Sequence, residues 1–141
     1  MIYTPLTNKA MKLAYTAHHG QVDKSGIPYI FHPYHLAEQM DDEYSTCVAL
    51  LHDIVEDTDV TLEELTAIFP KDVTDAVALM THKDGELYLE YVKRISTNPI
   101  AKKVKLADLR HNTDETRLEN ADEATVAYYR EKYRKAFEIL E

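Results

Sequence analysis

The sequence predicts an all-α fold, a single bundle of about eight helices, and three observations carry that prediction. Only three glycines occur in 141 residues, set against abundant Ala, Leu, Glu and Lys, which lose little conformational freedom on entering a helix. Apolar side chains recur at helical spacing through most of the chain. Cap signals stand at the start of several of these stretches, as a Thr or Asn followed by proline or by an acid three residues later. A hydrophobic content of 45% suits one globular domain with one core.

In order, Thr4 caps a first helix that Pro5 opens and that runs to about His18, with Ala10, Leu13, Ala14 and Ala17 as its apolar stripe. From His19 to His32 the chain reads HGQVDKSGIPYIFH, and Gly20, Gly26 and Pro28 break the period. That segment is a connector or a loop that wraps a ligand. Pro33 opens a short helix over Tyr34 to about Met40, placing His32 at or just before its cap. A third helix is expected from about Ser45 to Glu56. Thr61 and Glu64 then make a capping box for Leu62 to about Ile68, which Phe69-Pro70 closes.

Asp72 to about Thr81 forms the next helix, with Val73, Ala76, Val77 and Met80 inward. Beyond a turn at His82 to Gly85, Glu86 to about Ser96 is amphipathic, with Leu87, Tyr91 and Ile95 on one side. Asn98-Pro99 caps a helix from Ile100 to about Thr113, buried along Ile100, Val104 and Ala107. Asn120 with Glu123 starts the last helix, Ala121 to about Leu140, whose Tyr128, Tyr129, Tyr133, Phe137 and Leu140 read as core or groove lining.

Charge narrows the function classes. With 16 basic and 25 acidic residues the net charge is -9, which opposes general affinity for a nucleic-acid polymer but allows a small phosphorylated ligand in a locally basic pocket. The single cysteine, Cys47, excludes an intrachain disulfide and a thiolate zinc site. No stretch has the roughly 18 apolar residues of a membrane span, and the N-terminus lacks a signal peptide's apolar run, so the expected location is the cytoplasm. The phosphate loops GxxxxGK[ST] and GxGxxG and the nucleophile elbow GxSxG are absent. Oligomeric state leaves no mark in the sequence.

The stretch ALLHDIVED, Ala49 to Asp57, is apolar enough to be buried yet carries four titratable groups. On a continuous helix His52 lies over Glu56 and Asp53 over Asp57. Buried charge needs a partner, and a divalent cation is one; an exposed acidic helix end is the plainer alternative for Glu56 and Asp57. Asp108 adjoins the buried stripe of its helix and wants either a cation or a neighbouring Lys or Arg. Together His32, His52, Asp53 and Asp108 supply two imidazoles and two carboxylates from three segments, a donor set that suits Mn²⁺, Fe²⁺ or Zn²⁺.

The order H…HD…D resembles HD-domain metal-dependent phosphohydrolases. More narrowly, GQVDKSGIPYIFHP, ALLHDIVEDTDVT and VKLADLRHN are similar to the signature blocks of the RelA/SpoT hydrolase domain and of stand-alone small alarmone hydrolases, over nearly the whole chain. That resemblance implies one HD-type domain over residues 1–141 that uses Mn²⁺ to remove the 3′-pyrophosphate from (p)ppGpp. It implies metal ligands at His32, His52, Asp53 and Asp108, an acidic pair for the hydrolytic water at Glu56 and Asp57, and substrate contacts at Lys24, Ser25 and Asn112, with Arg110 the basic residue nearby. No synthetase domain follows, so alarmone synthesis is not expected. The chain departs from the pattern at Asp23, where the family has arginine before lysine, and at Leu109-Arg110, where LADRLHN has become LADLRHN, which moves the basic side chain about 100° round a helix. An adenine alarmone as substrate and a non-catalytic nucleotide sensor are the alternatives.

Overall fold

The computed structural model describes residues 1–117 and 122–141, and helices α1 (Pro5–Ala17), α2 (Phe31–Glu38), α3 (Glu43–Leu51), α4 (Ile54–Asp57), α5 (Leu62–Thr66), α6 (Lys71–Met80), α7 (Tyr88–Ile95), α8 (Pro99–Asn112) and α9 (Glu123–Leu140) build it. The all-α expectation holds. The count exceeds the expected eight because the third predicted helix is divided in two.

Helix α3 is the axis of the bundle: every residue from Ser45 to Leu51 is buried. A helix apolar on all sides is stable only when others surround it, and α1, α2, α6 and α8 do so. Asp42 starts it, accepting the Ser45 N–H at 2.8 Å. Its end differs from the sequence prediction. His52 Nδ1 donates to the Ala49 carbonyl at 2.7 Å, taking an acceptor that the helical ladder would otherwise use, and Asp53 adopts φ -105°, ψ 1°. The backbone therefore turns between His52 and Ile54, and the expected stacking of His52 over Glu56 does not form.

Other boundaries moved for local reasons. Helix α2 begins at Phe31, so His32 lies inside its first turn and is buried together with Pro33. Leu87, expected inward, is 73% exposed because α7 starts one residue after it. Beyond α8 the chain makes a 3-10 turn, Glu115–Arg117. Helix α9 is capped by Asp122, which accepts the Thr125 N–H at 2.7 Å; the expected cap at Asn120 and start at Ala121 lie outside the described residues.

The segment between α1 and α2 folds into a tight loop. Val22 and Pro28 form an isolated bridge, Asp23 N–H donates to the Ile27 carbonyl at 2.8 Å and Tyr29 N–H to Gln21 at 2.9 Å. Gly26 closes the turn at φ +79°, a conformation that costs other residues a strained backbone. Among the described residues, no helix is long and apolar enough to cross a membrane.

Helix α8 carries Asp108, so its start matters to the site. The Asn98 side chain accepts N–H groups from Ile100 and Ala101, both at 3.0 Å. Replacing Asn98 with alanine should lower unfolding free energy by about 1 kcal/mol, read as a lower urea midpoint at unchanged m-value, with Asn98→Asp retaining most of the stability.

Candidate metal centre

Three helices bring the predicted donors together. His32 comes from the first turn of α2, His52 and Asp53 from the break after α3, and Asp108 from the buried face of α8. One ligand atom from each of His32, His52 and Asp53 lies within 4.8 Å of the others. Asp108 Oδ1 closes the set, 2.9 Å from His32 Nε2 and 3.6 Å from His52 Nε2.

Ring tautomers decide what these atoms offer. Because a carbonyl only accepts, His52 Nδ1 carries its hydrogen toward Ala49 and Nε2 of the neutral ring is a lone pair. That buried Nε2 stands 3.0 Å from Asp53 Oδ2 and has no hydrogen-bond partner among the described residues. His32 Nδ1 meets His111 Nδ1 at 2.7 Å. For His32 Nε2 to offer a lone pair to a cation, His32 Nδ1 donates and His111 Nδ1 accepts, which a neutral His111 permits: burial, then the nearby Arg117 guanidinium, pulls its pKa down to about 4. Each metal-facing imidazole thus has its far nitrogen fixed by a hydrogen bond, as metal-ligating histidines require.

Two ring lone pairs and two carboxylates facing one another repel unless positive charge sits among them. The titration directions show the same field. Burial works against a charged His52, yet the Asp53 and Asp108 carboxylates push its pKa well up. Burial likewise opposes ionisation of Asp53, but the His52 ring holds its carboxyl down at about 2. The residues fit a divalent cation bound through His32, His52, Asp53 and Asp108, with no thiolate in the set.

The surrounding shell holds these donors in place. Tyr29 donates its hydroxyl to Asp53 Oδ2. Lys105, 8% exposed, donates to Asp108 Oδ2 at 2.8 Å, and burial alone would depress its pKa, but Asp108 drives it upward. Asp108 therefore answers both sequence alternatives, since one oxygen takes the lysine and the other faces the histidines. His18 Nδ1 contacts Gln21 Oε1 at 2.8 Å, and Gln21 Nε2 donates to the Asp57 carbonyl at 2.8 Å, which ties the first helix to the acidic pair.

A cavity of about 760 Å³ opens from this centre. His32, Asp53, Asp108, Glu56, Asp57, Lys24, Ser25 and Asn112 all line it. Glu56 accepts the His82 N–H, and burial followed by neighbouring acids raises the pKa of both Glu56 and Asp57. Asn112 donates to Asp108 Oδ1 at 3.1 Å, and the Ser25 hydroxyl donates to the Arg117 carbonyl at 2.9 Å. Arg110 is the exception. It is exposed and outside the lining, while Leu109 beside it is fully buried; the Leu-Arg order puts the apolar side chain in the core and the cation in solvent, so substrate contact by Arg110 is not supported.

Sequence reading missed Tyr29, Lys105, His111, Arg117, Tyr88 and Lys132, while Tyr129 and Tyr133, read as core or groove lining, stand in the cavity wall. The signal for Lys105 was its place on the buried side of α8, three residues before Asp108. For Arg117, on a short turn, no periodic signal existed.

Comparison with known proteins agrees with this geometry. The model of the HD domain matches residues 10–135. A probable guanosine-3′,5′-bis(diphosphate) 3′-pyrophosphohydrolase of Mycoplasma pneumoniae is 42% identical over 85 residues, 57% of this chain and 12% of the relative. A probable GTP pyrophosphokinase of Mycobacterium leprae is 34% identical over 120 residues, 76% of this chain and 15% of the relative. The bifunctional (p)ppGpp synthase/hydrolase SpoT of Escherichia coli K12 is 32% identical over 119 residues, 74% and 17% respectively. The chain thus spans less than a fifth of these curated relatives. A solved structure of a metazoan ortholog of SpoT, described as hydrolysing ppGpp and acting in starvation responses, shares the fold with TM-score 0.82 at 24% identity, over 100% of this chain and 88% of that one. Helices, donor set and sequence agree: the chain belongs to the HD-domain family.

Proposed function

We propose that residues 1–141 act as one divalent-metal-dependent phosphohydrolase domain that removes the 3′-pyrophosphate from guanosine bis(diphosphate) alarmones, with Mn²⁺ as the ion. One observation carries the reading: His32, Asp53 and Asp108 gather round the unpartnered Nε2 of buried His52, and those three line a cavity of about 760 Å³, the size of a small-molecule site. The curated relatives named as 3′-pyrophosphohydrolases support the substrate. The imidazole and carboxylate donors are consistent with Mn²⁺, and the resemblance to the alarmone hydrolases favours it over Fe²⁺ or Zn²⁺.

When bound, the cation supplies a lowered water pKa and Lewis acidity toward a phosphoryl oxygen. The chain's own residues do the rest. His32, His52, Asp53 and Asp108 would hold that cation. Glu56, with its carboxylate anchored by the His82 N–H, or Asp57, whose carbonyl Gln21 holds, takes the proton of the attacking water. Their raised pKa values make them stronger bases than ordinary carboxylates. Water oxygen bonds to the phosphorus, the bond from phosphorus to the ribose 3′ oxygen breaks, pyrophosphate departs and the 3′ oxygen takes up a proton. Lys24, whose Nζ reaches the Tyr129 hydroxyl at 2.7 Å, is placed in the lining to offset phosphate charge.

Pyrophosphate release from ppGpp, assayed with and without Mn²⁺, tests the proposal; metal-dependent turnover supports it, and tight nucleotide binding without turnover in any metal supports a sensor instead. Asp53→Ala should abolish both turnover and metal binding. Tyr29→Phe, which removes only the hydroxyl on Asp53, should weaken metal affinity about tenfold by calorimetry. The double replacement Glu56→Gln with Asp57→Asn should lower kcat by roughly 10²- to 10⁴-fold while metal content by mass spectrometry stays the same; loss of metal there would overturn the role assigned to the acidic pair.

A further inference from the structure

Positive side chains in the cavity are held in different ways, and the difference assigns them different work. Lys105 is committed to Asp108. Lys24 lies 4.3 Å from the centroid of the Tyr129 ring and Lys132 4.7 Å from that of Tyr88, and among the described residues neither is paired with a carboxylate. Arg117 is different. One terminal nitrogen donates to the His111 carbonyl at 2.6 Å and the other lies 3.7 Å from Asp23 Oδ2. Asp23 is itself fixed, its Oδ1 accepting the N–H groups of Ser25 at 2.8 Å and Ile27 at 3.0 Å. The Ser25 hydroxyl then holds the Arg117 backbone carbonyl. Two segments distant in sequence are stapled at both the backbone and the side chain of Arg117.

Pairing with Asp23 offsets the guanidinium charge and so weakens Arg117 as a phosphate ligand. Its terminal nitrogens face protein acceptors, which leaves the flat face of the guanidinium as what it offers the cavity that it lines. Guanidinium planes stack on aromatic rings, and stacking on a nucleobase accepts every base because each has a π-face. We propose that Arg117 is the platform on which the nucleobase of the substrate stacks, its plane held by Asp23 and the His111 carbonyl, while Lys24 and Lys132 serve the phosphates. Since a face and not a hydrogen-bonding edge meets the base, guanine and adenine are held about equally. This rests on the nucleotide-hydrolase reading and adds to it what holds the base and what that contact does not distinguish.

The test is KM and kcat with Mn²⁺ for ppGpp and for its adenine counterpart, ppApp, in the unaltered chain and in Arg117→Ala, Arg117→Lys and Asp23→Asn. Arg117→Ala should raise KM for both nucleotides by about 5- to 100-fold and change kcat by less than about threefold. Arg117→Lys should behave as alanine does, because an ammonium keeps the charge and lacks the plane. Asp23→Asn should fall between. An unchanged KM in Arg117→Ala, rescue by lysine, or an effect confined to the guanine nucleotide would each overturn the proposal. Circular dichroism and metal affinity confirm that each variant folds, and calorimetry of ppGpp and ppApp on the Glu56→Gln, Asp57→Asn chain repeats the comparison without turnover. Absence of turnover of either nucleotide overturns the function proposed above; nucleotide binding that Arg117→Ala leaves unweakened, or no binding at all, overturns this one.

Discussion

Buried negative charge where α2, α3 and α8 meet is the constraint that the rest of the structure serves. Asp108 and His32 lie deep in the bundle, and His52 Nε2 has no hydrogen-bond partner among the described residues. Leaving such groups uncompensated costs several kcal/mol, so the fold arranges compensation on every side. Lys105 takes one oxygen of Asp108, Asn112 shares the other, Tyr29 caps Asp53 and His111 turns His32 into the required tautomer. What those contacts leave over are ligand atoms of His32, His52 and Asp53 within 4.8 Å of one another.

That arrangement explains why the third helix breaks. A continuous helix through Glu56 would aim His52 and Asp53 along its own face. The His52 ring instead bonds back to Ala49, and the turn at Asp53 sets both side chains toward α2 and α8. A new short helix, α4, follows, and its last two residues, the acidic pair Glu56 and Asp57, line the cavity. The proposed ligands and the proposed bases are near neighbours in sequence, and the backbone changes direction between them.

Much of this was legible in the sequence. Helical periodicity and capping signals located the helices, because those signals are local. The donor set was legible from residue type and order, since buried His and Asp on apolar stripes demand a partner wherever the chain goes. What sequence could not show was long-range: that His111 crosses to His32, or that a short turn places Arg117 against Asp23. The break at His52 escaped for another reason. It arises from a side chain competing with the backbone for one carbonyl, and hydrophobic periodicity carries no trace of that competition. Arg110, expected near the substrate, is exposed and outside the cavity lining, because burial of Leu109 decides which way α8 faces.

The most direct measurement of the account is anomalous diffraction from crystals grown with Mn²⁺. The expected result is one strong peak within coordination range of His32 Nε2, His52 Nε2 and an oxygen each of Asp53 and Asp108. A peak elsewhere in the cavity, or none at saturating metal with these four side chains ordered, would contradict the claim that the bundle is built around a cation.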